Sequence, residues 1–186
     1  MLSKLGAVPH QIAGGEIYQA LERGTIDATE WVGPYDDEKL GFNKVAKYYY
    51  YPAFWEGGAA LQVFVNAKAW EGLPKEYRAI LEAATAEANT WMLTRYDTQN
   101  SGALRRMVGG GTQLRAFPRT VMDACYRESL ALYTEISAKN PKFAKVHGHM
   151  MKFLEEQILW FRVAEANYDS YMQTGRKAPA KAAPAK

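Results

Sequence analysis

Two short stretches bring together residue types that can do chemistry. Glu30 is followed by Trp31, and Trp55-Glu56 is followed by Gly57-Gly58. Each sets a carboxylate beside a large aromatic ring. A carboxylate next to an indole is costly to bury unless it is paired or holds a cation. The two glycines after Glu56 let a ligand or a backbone carbonyl approach closely, because no side chain projects from them. Oxygen donors of this kind suit a hard cation such as Na+ or Ca2+. The chemistry in view is a wall for a small ligand plus a cation seat. On spacing alone, a pair of ordinary half-exposed acids is the other reading.

Other chemistries find no footing. The chain has no GxSxG, HExxH, GxGxxG or GxxxxGK[ST], the patterns that carry acyl transfer, zinc proteolysis and phosphate cradling. Gly109-Gly110-Gly111 has no lysine after it and reads as a loop between helices. His147 and His149 stand two apart, which turns them to different sides of a helix, so both read as surface histidines rather than metal ligands. Cys125 lies among Val121, Met122, Ala124 and Tyr126 with no histidine nearby, and reads as an inert core thiol. The Tyr48–Tyr51 run reads as a strand packed on both faces rather than a stacking platform for bases. With no nucleophile–base pair, the chain is not expected to be an enzyme, and no catalytic cofactor is expected.

The elements around these residues are mixed, with helix in excess. Glu16–Arg23 is a short helix stopped by Gly24, with Ile17, Ala20 and Leu21 on one face. Ile26–Val32 is apolar and β-branched enough for a buried strand, and Ala59–Val65 (AALQVFV) has the strongest strand pattern. Both would place the two carboxylates at strand ends, where ligand sites of open α/β sheets lie. Between them, a short helix starts at Pro34 and ends at Gly41, and Val45–Tyr51 is a strand closed by Pro52. Asn66 is an N-cap for a helical turn through Trp70. Pro74 opens a long helix to about Asn100, with Tyr77, Ile80, Leu81, Ala84, Ala88, Trp91 and Met92 at helical spacing. Gln113–Phe117 is a short strand, Pro118 starts a helix to Lys139, and Asn140-Pro141 turns the chain into a final long helix ending near Gln173.

That last helix is apolar all round at Ile158-Leu159-Trp160-Phe161. A helix of this kind is covered on both sides, either within its own chain or by a partner helix from a second copy. Its core stripe is Phe143, Val146, Met150, Phe153, Trp160, Ala164, Tyr168 and Tyr171.

The chain has 186 residues, 23 basic and 20 acidic, for a net charge of +3. Four of those basic residues, and no acidic ones, fall in residues 174–186 (TGRKAPAKAAPAK), which leaves 19 basic against 20 acidic in 1–173. The body is therefore close to neutral. The Ala/Pro/Lys tail cannot bury enough surface to order itself and reads as a disordered, solubilising end rather than a nucleic-acid or lipid contact. No apolar run reaches the ~18 residues that cross a bilayer as a helix. Met1–Gly6 reads as the end of a helix with Gly6 as its stop, and a chain that opens in mid-element implies sequence upstream.

At this point the residues meet a resemblance. Glu16–Trp31, with Leu21-x-x-Gly24-x-Ile26-Asp27 at its centre, is similar to the pattern of the substrate-binding subunits of tripartite ATP-independent periplasmic (TRAP) transporters. Val65-Asn66-Ala67-Lys68-Ala69-Trp70-Glu71-Gly72-Leu73-Pro74, followed by Arg78 and Ile80, resembles that family's second hallmark. Glu30-Trp31 and Trp55-Glu56 resemble the branch that binds pyruvate and related 2-oxo or 2-hydroxy monocarboxylates with a cation. The resemblance implies an α/β fold of periplasmic-binding-protein type, bilobed and helix-rich with two long helices. This chain would be its C-terminal part, residues 1–173, without the N-terminal lobe and signal peptide.

The same resemblance implies roles. Trp31 would give its backbone carbonyl to the cation and its ring to the ligand. Glu56 would coordinate the cation, Na+ or Ca2+, and Glu30 would contact the ligand; Trp55 is left as a packing residue. A bridging cation removes a physical difficulty, since acids alone repel an anionic substrate. The arginine that anchors the substrate carboxylate in such receptors, and a further polar cation ligand, belong to a stretch before the counterpart of Met1. The implied partners are a small carboxylate, the TRAP membrane subunits and a second copy through residues 142–173, in the periplasm, with no nucleic acid. The alternative from a different class is a helical oligomerisation module that binds no small molecule.

Overall fold

The computed structural model describes residues 1–175. The chain forms two compact units, Met1–Glu128 and a second beginning at Ser129. In the first, a 3-10 turn at Leu2–Leu5 stops at Gly6, whose φ of 85° is the left-handed conformation expected of that glycine. A second 3-10 turn, Gly14–Glu16, runs into α1 (Ile17–Glu22). An irregular connection leads to α2 (Pro34–Lys39), α3 (Phe42–Val45) and β1 (Tyr48–Tyr51). After a second irregular stretch come α4 (Ala67–Glu71), α5 (Lys75–Gly109), β2 (Gln113–Ala116) and the first half of α6 (Arg119–Lys139). β1 and β2 pair in parallel, from Tyr48 opposite Gln113 to Tyr51 opposite Ala116.

α5 has 35 residues and is about 50 Å long at 1.5 Å per residue. It runs nine residues past the expected end at Asn100, because it does not stop until the glycine triplet. Its C-terminal third is where the core sits: Ala103 and Met107 are buried, as are Ile17 of α1, Phe42 of α3 and Cys125 of α6. Cys125 is thus the buried free thiol that its neighbours predict. The other end of α5 differs, with Tyr77, Ile80, Leu81 and Trp91 of its apolar stripe exposed.

α2 lies on α5 through polar side chains. Arg106 donates from Nε and Nη2 to the two carboxylate oxygens of Glu38 at 2.8 and 2.6 Å. The Tyr96 hydroxyl donates to Asp36 at 2.7 Å, and burial together with that acceptor pushes the phenol up to about 12. Asn100 Oδ1 accepts from the Tyr35 backbone N–H at 3.0 Å. A side chain from α5 therefore satisfies one of the orphan amides of the first turn of α2.

Three expectations are corrected. Ile26–Val32 is not a strand. The Thr25 and Ile26 amides both donate to the Ala20 carbonyl, and the Val32 and Gly33 amides approach Asp37, so no ladder forms. Ala59–Val65 is irregular, without strand pairing, and Leu61, Val63, Phe64 and Val65 are exposed. A strand exists only with a neighbour, and among the described residues only β1 and β2 supply one another. Finally, the tyrosine strand starts at Tyr48 rather than Val45 and is not packed on both faces, since Tyr48, Tyr50 and Tyr51 are exposed.

In the second unit, α7 (Pro141–Val163) begins as expected. Asn140 Oδ1 accepts from the Lys142 and Phe143 amides, both at 3.1 Å, with Pro141 in the first helical position. His147 is no simple surface group: its ring lies 4.9 Å from that of Tyr133 and 5.4 Å from that of Phe143. The expected single helix to Gln173 is two helices. Ala164, at φ −85° and ψ −96°, breaks it, and α8 (Glu165–Gly175) follows. Thr174 and Gly175, expected in the disordered tail, belong to α8, where the Thr174 hydroxyl donates to the Ser170 carbonyl; residues 176–186 lie outside the described residues. Val146, Met150, Phe153, Trp160, Tyr168 and Tyr171, expected as core, are exposed, and so are Ile158 and Leu159.

Candidate ligand and cation site

Glu30 and Trp31 lie in the irregular stretch between α1 and α2. The Trp31 ring meets Phe42 of α3 edge-on, with centroids 6.4 Å apart and planes at 88°. Its far edge lies over Gly14, where a Cβ would come within 2.5 Å of Trp31 Cη2. The indole is thus wedged between a 3-10 turn and α3, yet remains 38% exposed. Because Trp31 sits outside any helix or strand, its carbonyl is not committed to a regular ladder.

Glu56 lies in the stretch after β1, behind a row of aromatic rings. Tyr50 stacks on Phe117 at 4.9 Å, Phe117 meets Phe54 at 6.1 Å, and Phe54 meets Trp55 edge-on at 4.2 Å. Trp55 is therefore a packing residue in this row. A Cβ added to Gly57 or Gly58 would meet nothing within 4 Å, so the space next to Glu56 is open.

Through-space charge links the two stretches. Partial burial pushes the Glu30 carboxyl above its ordinary range, and the carboxylates of Glu56 and Asp37 add to the shift. Glu30 and Trp31 are chain neighbours, and the electrostatic effect of Glu56 on Glu30 is what relates the second stretch to them. Among the described residues, no three His, Cys, Asp or Glu side chains gather into a metal cage. The donor set suggested by the sequence is smaller: the Trp31 carbonyl and the Glu56 carboxylate, both hard oxygens. Such a set fits an alkali or alkaline-earth cation that completes its shell with oxygens of a bound carboxylate. Negative charge would supply the attraction, and a cation there would offset the part of the upward push on Glu30 that comes from neighbouring carboxylates, burial being the larger cause.

Asp37 is a member of this region that its sequence context does not reveal. It is only 6% exposed. Its Oδ1 accepts from the Val32 and Gly33 amides at 3.4 and 3.3 Å, and its Oδ2 from the Tyr49 hydroxyl at 2.6 Å. Burial raises its pKa; the three donors pull the other way without cancelling it. In the sequence it is one of two acids in the first turn of a helix, a common place for acids. Nothing local marks it as the one that turns inward.

Residues 1–140 match the family described as bacterial extracellular solute-binding protein, family 7. The chain belongs to this family. It is a family of transporter solute-binding proteins, not of enzymes. The monocarboxylate 2-oxoacid-binding periplasmic protein of Nostoc sp. is 45% identical over 176 residues, covering 95% of this chain and 48% of the relative. A TRAP transporter solute-binding protein from Bordetella bronchiseptica, 54% identical, superposes with a TM-score of 0.89 over 94% of this chain and 52% of its own. That crystal structure is a mixed-occupancy dimer with copurified calcium and picolinate in one active site. A second TRAP protein, from Colwellia psychrerythraea, binds calcium and pyruvate; it is 37% identical, with a TM-score of 0.83 over 91% of this chain and 52% of its own. The periplasmic-binding-protein fold and the family resemblance are therefore confirmed. The chain spans about half the length of these relatives. Among the described residues, no helix is long and apolar enough to cross a membrane.

Proposed function

We propose that residues 1–173 form the C-terminal part of a periplasmic TRAP solute receptor that binds a small 2-oxo or 2-hydroxy monocarboxylate together with Ca2+ or Na+. Trp31, through its carbonyl, and Glu56 hold the cation. Glu30 and the Trp31 ring line the ligand pocket. The cation supplies the positive charge that lets an acidic site accept an anion. Closure of two lobes over the pair then presents the loaded form to membrane subunits. One observation carries the reading: the Trp31 indole is wedged between Gly14 and Phe42 and left 38% exposed, directly after Glu30, whose carboxyl is pushed up first by partial burial and then by the charges of Glu56 and Asp37. The calcium-bound pyruvate and picolinate complexes of the Colwellia and Bordetella relatives support the same ligand class.

The test is calorimetry with pyruvate, with and without Ca2+ or Na+, on this chain and on a chimera carrying the N-terminal half of the Bordetella relative. The chimera is expected to bind pyruvate only with a cation, and Glu56→Ala to lose that cation-dependent binding. A chimera that folds and ignores both overturns the reading. A second copy joined through residues 142–173 is part of the proposal, supported by the exposed apolar residues of α7 and α8.

A further inference from the structure

The irregular stretch that carries Glu30 and Trp31 has no strand ladder to hold it, yet a binding group must be held to a fraction of an ångström to be useful. Asp37 is the group that holds it. One oxygen takes the amides of Val32 and Gly33, the two residues directly after Trp31, through long hydrogen bonds. The other takes the Tyr49 hydroxyl at 2.6 Å, twelve residues on, in β1. β1 is in turn fixed by its pairing with β2. We propose that the Asp37–Tyr49 pair is a positioning device that ties the Glu30–Trp31 stretch to the sheet, so that the Trp31 carbonyl and ring keep their binding geometry.

The plainer role for Asp37 is to satisfy two amides at the entry to α2. That role explains Oδ1 but not Oδ2, since the Tyr49 contact does nothing for the helix terminus. Tyr49 is half-buried while its neighbours Tyr48, Tyr50 and Tyr51 are exposed, so it is the one tyrosine of the strand that turns toward α2. A buried carboxylate with three donors, two of them the backbone amides directly after Trp31 and the third in β1, is arranged as a bridge between two elements. Oriented partners of this kind, one step removed from the ligands, set affinity without touching the ligand.

The inference rests on the binding role given above to Glu30 and Trp31, and its test separates the two. The full chain is labelled with 5-fluorotryptophan; it has five tryptophans, and Trp31→Phe assigns the Trp31 line in the 19F spectrum. Tyr49→Phe keeps the helix-entry contacts and cuts the tie; Asp37→Ala removes both; Asp37→Asn keeps an acceptor for the amides and a donor for the Tyr49 oxygen. The Trp31 line is expected to shift or split in Tyr49→Phe and Asp37→Ala and to stay in place in Asp37→Asn. Binding of pyruvate with Ca2+, in the chimera, is expected to weaken about 10- to 100-fold in the first two and little in the third. If Asp37→Ala does not fold, Tyr49→Phe decides. A Trp31 line unmoved in Tyr49→Phe overturns the proposal, and so does a moved line with unchanged affinity. If the unsubstituted chimera binds nothing, the receptor reading fails, and the 19F spectra still decide whether the tie holds Trp31.

Discussion

The Trp31 ring packs where a missing atom leaves room for it. Alanine at position 14 would place a Cβ 2.5 Å from Trp31 Cη2, and the far end of an indole gives way more easily than backbone. Gly14→Ala is therefore expected to swing the ring off Phe42, at a stability cost of about 1 kcal/mol for the strained side chain. Near-UV circular dichroism with a urea titration reads both effects; an unchanged aromatic signal refutes the wedge. Asp37 gives a second prediction through pH. Burial holds its folded-state pKa above the ordinary carboxyl value. Between those two values the native protein keeps a proton that the unfolded chain has released, so the group's contribution is greatest in acid and is lost as pH rises through the folded pKa. Asparagine cannot titrate. The melting temperature of the unsubstituted protein relative to Asp37→Asn is thus expected to fall as pH is raised from 4 toward 7, and a constant difference contradicts it. Glu38 has the opposite sign: Arg106 lowers its pKa, so its contribution is present at neutral pH and fades as pH falls.

At the level of elements, α2 is held by groups far away in sequence. The Tyr35 amide finds its acceptor in Asn100, 65 residues on. Asn100→Ala leaves that amide without a partner and is expected to destabilise the first unit by about 1–2 kcal/mol, as loss of a helix cap does. Urea denaturation measures it, and a change under a few tenths means water replaces the contact. The same contrast explains what the sequence discloses. Asn66 and Asn140 cap helices three residues away or fewer, and both are legible, as are Gly6 and the glycine triplet. Asn100 is not, because its partner is set by packing. The strand pattern of Ala59–Val65 is correct as a pattern, but pairing is decided by what lies alongside. Glu30, Trp31 and Glu56 could be proposed from the sequence because each acid stands beside an indole next to a stretch with a strand pattern. Asp37 and Tyr49 could not, since an acid in a first helical turn and a tyrosine in a strand are ordinary until one meets the other.

For the whole molecule, the deciding surface is the second unit. Phe153, Leu154, Ile158, Leu159, Trp160, Phe161 and Val163 are all exposed on one stretch of α7, Leu159 at 64%. Apolar side chains spaced this densely cover the helix circumference, and a contiguous exposed apolar patch of that kind marks an interaction site. The break at Ala164 adds a second short helix with Tyr168 and Tyr171 exposed beside it. The proposed second copy of the same chain would meet the patch with its own equal, in the closed two-fold arrangement most homo-oligomers adopt. The Bordetella relative is a dimer in its crystal. Light scattering after size exclusion is therefore expected to give a dimer mass for the unsubstituted chain. Ile158→Glu with Leu159→Glu should reduce it to a monomer, because each buried carboxylate would lack a partner. Far-UV circular dichroism separates dissociation from unfolding: the helical signal should persist, since glutamate is a good helix former. A monomer before any substitution removes the dimer from the proposal. It leaves the acidic site of the first unit untouched, because Glu30, Trp31 and Glu56 all lie before Ser129.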